Sequence, residues 1–181
     1  MIIINRCAWV NDNQLMQQYH DCEWGRPCHD GQKLFELLSL EMMQAGLSWQ
    51  TVLNKRANFR KAFYNFDINK VAKMDNQIDS LIQDAGIIRN RLKINAIINN
   101  AKVIKNLDVS FNDYVWQFVD NKPINHHYSS HEQIPATDDL AKNMSKQMKK
   151  DGFKFAGPVI IYSFMQAAGL VNDHEANCFL S

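Results

Sequence analysis

Nothing in the chain is apolar for long enough to cross a membrane: no run in its 181 residues approaches the ~18 consecutive apolar residues of a transmembrane helix. The opening MIIINR also lacks the extended apolar region and small-residue cleavage site of a secretory signal, so a cytosolic protein with no membrane partner is expected. Cysteine is scarce. The four cysteines include no CxxC pair, and in a reducing compartment they are expected to serve as thiols or metal ligands rather than disulfides. Charge of one sign is lacking too. A formal net charge of +1 is too small to mark a nucleic-acid binder by bulk electrostatics, so any contact with DNA has to be local. Internal repeats and low-complexity tracts are missing, and only 7 Gly and 4 Pro are present, which excludes fibrous and disordered classes. What remains, 46% hydrophobic and 22% charged residues, is the composition of one ordinary globular domain.

Apolar positions recur mostly at helical spacing, and strand patterns are hard to find. Asp30 is placed to N-cap a helix running through Ala45, with Leu34, Leu37, Leu38 and Met42 on one face and Gly46 as its stop. Ser48 is placed to cap the next, from Trp49 to about Phe63. A run from Ile78 to Asp84 ends in DAGII, and another resumes near Arg89 with Leu92, Ile94, Ile97, Ile98, Ala101 and Ile104, which reads as a helical hairpin. Gly86 in its turn is expected to take the positive φ that other residues avoid. Further helices are predicted to begin at Ser110, at Thr137 (continuing to Lys150) and at Pro158, the last ending at Gly169. The fold class is therefore all-α.

Three sets of residues suit chemistry. The turn DAGIIRNRLK puts Arg89, Arg91 and Lys93 beside a helix N-terminus, where unpaired N–H groups and the positive end of the macrodipole favour a phosphate. Lys146, Lys149, Lys150 and Lys154 form a second basic cluster, and a solvated helix face is the more frequent meaning of either one. Glu41 falls in the last turn of its helix, where a carboxylate opposes the negative end of the dipole by ~0.3–1 kcal/mol. It stands one short loop before Trp49, and Trp9, Tyr19 and Trp24 add further aromatic faces. A carboxylate among aromatic rings suits a flat cation, through cation–π attraction and charge-assisted hydrogen bonds; core tryptophans and a surface glutamate give the same pattern. Cys7, His20, His174 and Cys178 form a possible metal set of two thiolates and two imidazoles, and the ligands of HEANC stand four positions apart, on one helical face. Cys22, Cys28 and His29 are equally eligible by sequence.

The segments CAWVNDNQLMQQYHDCEWGRP, LFELLSLEMMQAGLSWQTVLNKR, DAGIIRNRLKINAIINNA and GFKFAGPVIIYSFMQAAGLVNDHEANC resemble, in order, the signature blocks of the 3-methyladenine DNA glycosylase I family, from residue 7 to residue 178. The resemblance implies a helix-hairpin-helix glycosylase fold in a single domain over residues 1–181. A hairpin lobe would cover about 30–110, with the hairpin at Ala85 to Arg89. A terminal lobe over about 1–29 and 111–181 would be held by one structural zinc ion on Cys7, His20, His174 and Cys178.

By the same resemblance, Glu41 is the pocket carboxylate and catalytic residue, with Trp49, Tyr19 and Trp9 around the base and Trp24 supporting that wall. Met16 stands where family members commonly carry a tyrosine, leaving a thioether against the base, and Met43 stands where a glutamine is frequent. The implied partner is double-stranded DNA carrying alkylated adenine, and the implied reaction is hydrolytic release of 3-methyladenine after the nucleotide flips out. Leu47, at the tip of AGLSW, is the candidate wedge, with Gly86, Arg89 and Arg91 as the other DNA contacts. No catalytic aspartate and no lysine nucleophile is assigned, so the enzyme is expected to be monofunctional. A monomer with no obligate protein partner is expected, in the bacterial cytosol and on the nucleoid when acting. Two other classes stand beside this one. A non-catalytic zinc-stabilised DNA-binding module would have no use for Glu41 and its rings, and a zinc hydrolase needs an open metal position that four protein ligands do not leave.

Overall fold

The computed structural model describes residues 4–181; the first three residues of the expected terminal lobe lie outside the described residues. The architecture is mostly helical. In chain order the helices are α1 (Gln14–Cys22), α2 (Gly31–Gln44), α3 (Trp49–Ala62), α4 (Ile68–Val71), α5 (Ile78–Gln83), α6 (Arg91–Lys105), α7 (Phe111–Trp116), α8 (Asp139–Lys150) and α9 (Pro158–Ala167). A minimal parallel ladder joins β1 (Ile124–Asn125) to β2 (Val171–Asn172), with Ile124 opposite Val171. Two residues per strand are too few to leave a period in the sequence. Among the described residues no helix is long and apolar enough to cross a membrane.

The caps explain most helix starts. Asp30 accepts from Lys33 N, Ser48 from Thr51 N and Ser110 from Asp113 N, as the sequence led us to expect. Two starts shift. α6 begins at Arg91 rather than near Arg89, because the Asn90 side chain accepts from Lys93 N. α8 begins at Asp139 rather than at Thr137, because Asp138 is the residue whose carboxylate accepts from Ala141 N. α1 was not anticipated; the Asn13 side chain caps it by accepting from Leu15 N and Met16 N.

α2 is the axis of the molecule. Every residue from Leu34 to Met43 is buried, and the helix contacts α3, α6, α7 and α9. A helix buried all round offers no solvent to its charged groups, so each of them needs a partner or titrates. Glu36 has partners: Arg56 Nε and Arg60 Nε reach its Oε1 at 2.8 and 2.7 Å. Arg56 continues through a two-pronged contact to Glu23, at 2.9 and 2.8 Å, which ties the end of α1 to α2 and α3. Burial alone would raise the Glu36 carboxyl, but the hydrogen bonds from Arg56 and Arg60 bring it down to about 2.

The α5–α6 hairpin is present, but its glycine works differently from the expectation. Positive φ among the described glycines occurs at Gly25, Gly46, Gly152 and Gly169, not at Gly86. Space around Gly86 is tight instead: a Cβ there would stand 2.9 Å from Asp84 Oδ1 and 3.2 Å from Asn58 Cγ, so those side chains would have to shift. Its N–H donates to Asp84 Oδ1 at 2.7 Å, and its carbonyl accepts from Asn58 Nδ2 at 3.2 Å, so the turn is moored to α3.

The Glu36 cluster has an acid signature. Its folded pKa of about 2 lies below the ordinary glutamate value of 4.5, so its contribution is present above about pH 4.5 and is lost as pH falls toward 2. Stability should therefore drop through that window, and Glu36→Gln should flatten that part of the profile. Removing the other partner, Arg56→Met, should cost ~3 kcal/mol at neutral pH because it strips a buried carboxylate of its main donor. Urea denaturation as a function of pH measures both, and an unchanged Arg56→Met midpoint would show that the cluster does not hold these helices.

Candidate active site and metal centre

Glu41 lies five positions after Glu36 on the same buried helix and has none of its relief. It is 6% exposed, and burial pushes its carboxyl up to about 8, with no ion pair or hydrogen bond offsetting it. The group sits on the wall of a cavity of about 210 Å³ lined with Trp9, Tyr19, Trp24, Trp49 and polar side chains. That is narrower than the ~300–1,000 Å³ of drug-sized pockets, and it suits one small planar group. The rings interlock: Trp9 meets Trp24 at 5.2 Å and Tyr19 at 6.3 Å between centroids, and Tyr19 meets Trp49 at 5.0 Å. Three polar atoms on these rings, Trp9 Nε1, Tyr19 Oη and Trp49 Nε1, are buried without a hydrogen-bond partner. Buried polar groups are nearly always satisfied, so three orphans beside an unpaired carboxylate mark a place prepared for a ligand. Burial, and then the charge of Glu41, hold the Tyr19 phenol well above its usual pKa, so it stays a neutral hydroxyl.

The structure thus brings Trp9, Tyr19, Trp24, Glu41 and Trp49 to one cavity. Met16 is not on its wall; it is buried in a small apolar cluster with Cys7, Tyr19, Trp24, Leu53 and Cys178. Gln44, His131, Ile134, Ser163 and Gln166 line the cavity and were not picked out from sequence. Ser163 and Gln166 had a legible signal, two polar residues three apart on the otherwise apolar helix PVIIYSFMQA. His131 and Ile134 come from a surface segment far along the chain and had none.

Against the back of the same rings lies a cluster of Cys7, His20, His174 and Cys178, all buried, whose ligand atoms lie within 4.8 Å of one another. His20 Nδ1 faces Asp21 Oδ1 at 2.8 Å, and Arg6 clamps that carboxylate at 2.7 Å. His174 Nδ1 faces Asn172 Oδ1 at 2.6 Å. Both Nδ1 atoms are occupied, so both Nε2 atoms face inward, the arrangement by which outer partners orient metal-binding imidazoles. His174 Nε2 is itself a buried orphan. Burial pushes the Cys7 thiol up to about 12, the opposite of what a dication would impose, and pushes His174 down to about 4, which keeps its imidazole in the neutral form that binds metal. Two sulfurs and two imidazole nitrogens at this spacing fit a tetrahedral ion of the zinc type. Cys22 is exposed, and His29 stacks on Trp116 at 4.3 Å, so neither they nor Cys28 belong to the cluster.

The residues expected to face DNA separate into two groups. Leu47 is 44% exposed, and Arg89 and Arg91 are exposed at the hairpin, Arg91 with Asp79 at 2.7 Å. Lys93 is not available to a phosphate. It is 6% exposed, and its Nζ donates to Met43 O at 3.0 Å and Ala45 O at 2.7 Å. The cation caps the carbonyl end of α2, where it offsets the dipole that Glu41 opposes. Lys146, Lys149, Lys150 and Lys154 are all exposed.

Comparison with known proteins converges on one family. The model of the methyladenine glycosylase family matches residues 9–181. DNA-3-methyladenine glycosylase 1 of Escherichia coli is 49% identical over 179 residues, 97% of this chain and 96% of that protein. DNA-3-methyladenine glycosylase of Haemophilus influenzae is 45% identical over 177 residues, 96% of each. A crystal structure of 3-methyladenine DNA glycosylase I superposes with a TM-score of 0.93 at 48% identity, covering 97% of this chain and 98% of the other. The Staphylococcus aureus enzyme, solved for the basis of its 3-methyladenine recognition, superposes with a TM-score of 0.92 at 40% identity, covering 97% and 96%. Matched along almost its entire length in both sequence and fold, the chain belongs to the methyladenine glycosylase family.

Proposed function

We propose that the protein hydrolyses the N-glycosidic bond of 3-methyladenine in double-stranded DNA, releasing the free base and leaving an abasic site in base-excision repair. One observation carries this reading: the buried, unpaired Glu41 on the wall of an aromatic cavity with three unsatisfied donors. The bond is out of reach in a stacked duplex, so the nucleotide flips into the cavity. Methylation at N3 makes the adenine a cation and a good leaving group. Trp49, Tyr19 and Trp9 surround its faces, and Glu41 accepts its hydrogen bonds and balances its charge. Normal adenine lacks the charge and gains less from either feature, so binding energy is spent on the damaged base. With no lysine assigned as nucleophile, the enzyme would be a monofunctional hydrolase without a Schiff-base lyase step.

Cys7, His20, His174 and Cys178 would hold one zinc ion. A bound zinc ion would supply structure alone, tying together two ends of the chain. The turn from Ala85 to Arg89 would be the hairpin of a helix-hairpin-helix lobe over about 30–110, with the residues around it forming a terminal lobe. Arg89 and Arg91 would lie along the phosphates, with Leu47 as the wedge that fills the stack. The protein would act as a monomer in the cytosol. A non-catalytic DNA-binding module would keep the hairpin and the metal cluster but would leave Glu41 buried at a cost with nothing to recognise.

Chromatography of the bases released from alkylated DNA tests the activity: free 3-methyladenine is expected, and its absence would overturn the reading. Glu41→Gln should lower that release at least tenfold. The same change should raise stability, because the folded pKa of about 8 lies above the ordinary glutamate value of 4.5; the ionised form is disfavoured in the fold, and stability is lost as pH rises through that interval. A glutamine variant that is no more stable at pH 8 and equally active would contradict both halves.

Protein purified without chelator should contain one zinc per chain by elemental analysis. Cys178→Ala should lose the metal and melt earlier, since a closed site contributes its binding energy to folding. Metal-free parent protein with an unchanged melting temperature would remove zinc from the reading. At the hairpin, Arg89→Ala should weaken duplex binding and lower the salt dependence by about one unit of log–log slope while free-base binding stays at the parental level; an unchanged slope would move the DNA to the Lys146–Lys154 face.

A further inference from the structure

Asp173, next to β2, is fully buried at 0% exposure, and three side chains converge on it. Tyr162 Oη donates to Oδ2 at 2.6 Å, Gln166 Nε2 donates to the same oxygen at 2.8 Å, and His126 Nδ1 lies 2.7 Å from Oδ1. Tyr162 and Gln166 lie about one turn apart on α9, so the carboxylate grips two positions on one face of that helix. For Gln166 the consequence is orientation. A carboxamide has a donor half and an acceptor half, and here the donor half is turned to Asp173. The flipped amide would set Oε1 against Oδ2, two acceptors with no proton between them. The acceptor half is therefore the one left for the cavity, which Gln166 lines together with Glu41, Gln44 and Ser163.

We infer that Gln166 is a specificity-determining residue of this cavity and that Asp173 is its positioning residue. The Gln166 carbonyl accepts a hydrogen bond from the exocyclic amine of an adenine-type base, and it confronts unfavourably the carbonyl that a guanine-type base carries at the same ring position. The inference rests on the reading of the cavity as the seat of a flipped methylated base. A site built around a hydrogen bond rejects a ligand that leaves its polar groups unpaired far more sharply than an apolar wall does. Because the amide cannot turn over without losing Asp173, the cavity cannot adapt to the wrong partner.

DNA carrying both N3-methyladenine and N3-methylguanine provides the test. Parent protein, Gln166→Met and Asp173→Asn are each incubated with one such preparation, and the released bases are separated and timed. The readout is the ratio of the two release rates within one tube. Both bases are freed by the same protein molecules, so loss of folded protein or of metal lowers both rates and leaves the ratio unmoved. Methionine is similar in size and has neither polar half; Gln166→Met should lower the adenine-to-guanine ratio about tenfold. Asp173→Asn lets the amide turn over and should lower the ratio too, by less. Rates that fall together at a constant ratio in Gln166→Met would make Gln166 a plain wall and overturn the inference. A ratio altered in Gln166→Met but unchanged in Asp173→Asn would overturn the positioning role. A parent protein that frees neither base would instead overturn the reading of the cavity itself.

Discussion

The molecule is organised by the burial of α2. Ten successive residues of this helix, Leu34 to Met43, are out of water, and among them stand two glutamates treated in opposite ways. Glu36 is matched by Arg56 and Arg60, and its carboxyl falls to about 2. Glu41 is matched by nothing, and its carboxyl rises to about 8. The apolar packing of α2 against α3, α6, α7 and α9 has to carry the cost of the second while the first stitches α1, α2 and α3 together. Lys93 completes the helix by capping Met43 O and Ala45 O, which fixes the end of α2 from which Glu41 faces the cavity. An uncompensated buried carboxylate is a stored preference for a cation.

The aromatic wall and the Cys/His cluster are one construction. Trp9 packs on His20 at 5.5 Å and Trp24 on His174 at 4.8 Å between centroids. Cys7 and Cys178, near opposite ends of the chain, share a small apolar cluster with Tyr19 and Trp24. Whatever holds the four ligand atoms together therefore also sets the rings that face Glu41. On the other side, Ser163 and Gln166 of α9 add polar side chains to the wall, so the cavity is lined from α1 and its flanking residues, from α2 and α3, from the segment of His131 and Ile134, and from α9.

Much of this was legible in the residues. Asp30, Ser48 and Ser110 announce helix starts because a short polar side chain that can accept from a backbone N–H has few other reasons to precede an apolar period. Glu41 among Trp9, Tyr19, Trp24 and Trp49 could be proposed as a site because its type conflicts with its place at a helix end. Lys93 could not be told from Arg89 and Arg91: only the approach of α6 to the end of α2 makes it a buried cap. Gly86 looked like a positive-φ turn residue, and what crowds it instead is Asp84 in its own turn together with Asn58 from another helix.

The sequence by itself determined the helical class, most helix ends and the set of residues with chemistry to offer, because capping, periodicity and side-chain type act over a few neighbouring positions. Tertiary structure alone decided which of those residues meet. The metal set was ambiguous among seven Cys and His candidates until the fold gathered Cys7, His20, His174 and Cys178 within 4.8 Å. Met16 left the cavity wall, and His131, Ser163 and Gln166 joined it. The charge state of each glutamate on α2 was likewise unwritten in LFELLSLEMM, because it depends on how far water is excluded and on which cation arrives from another helix.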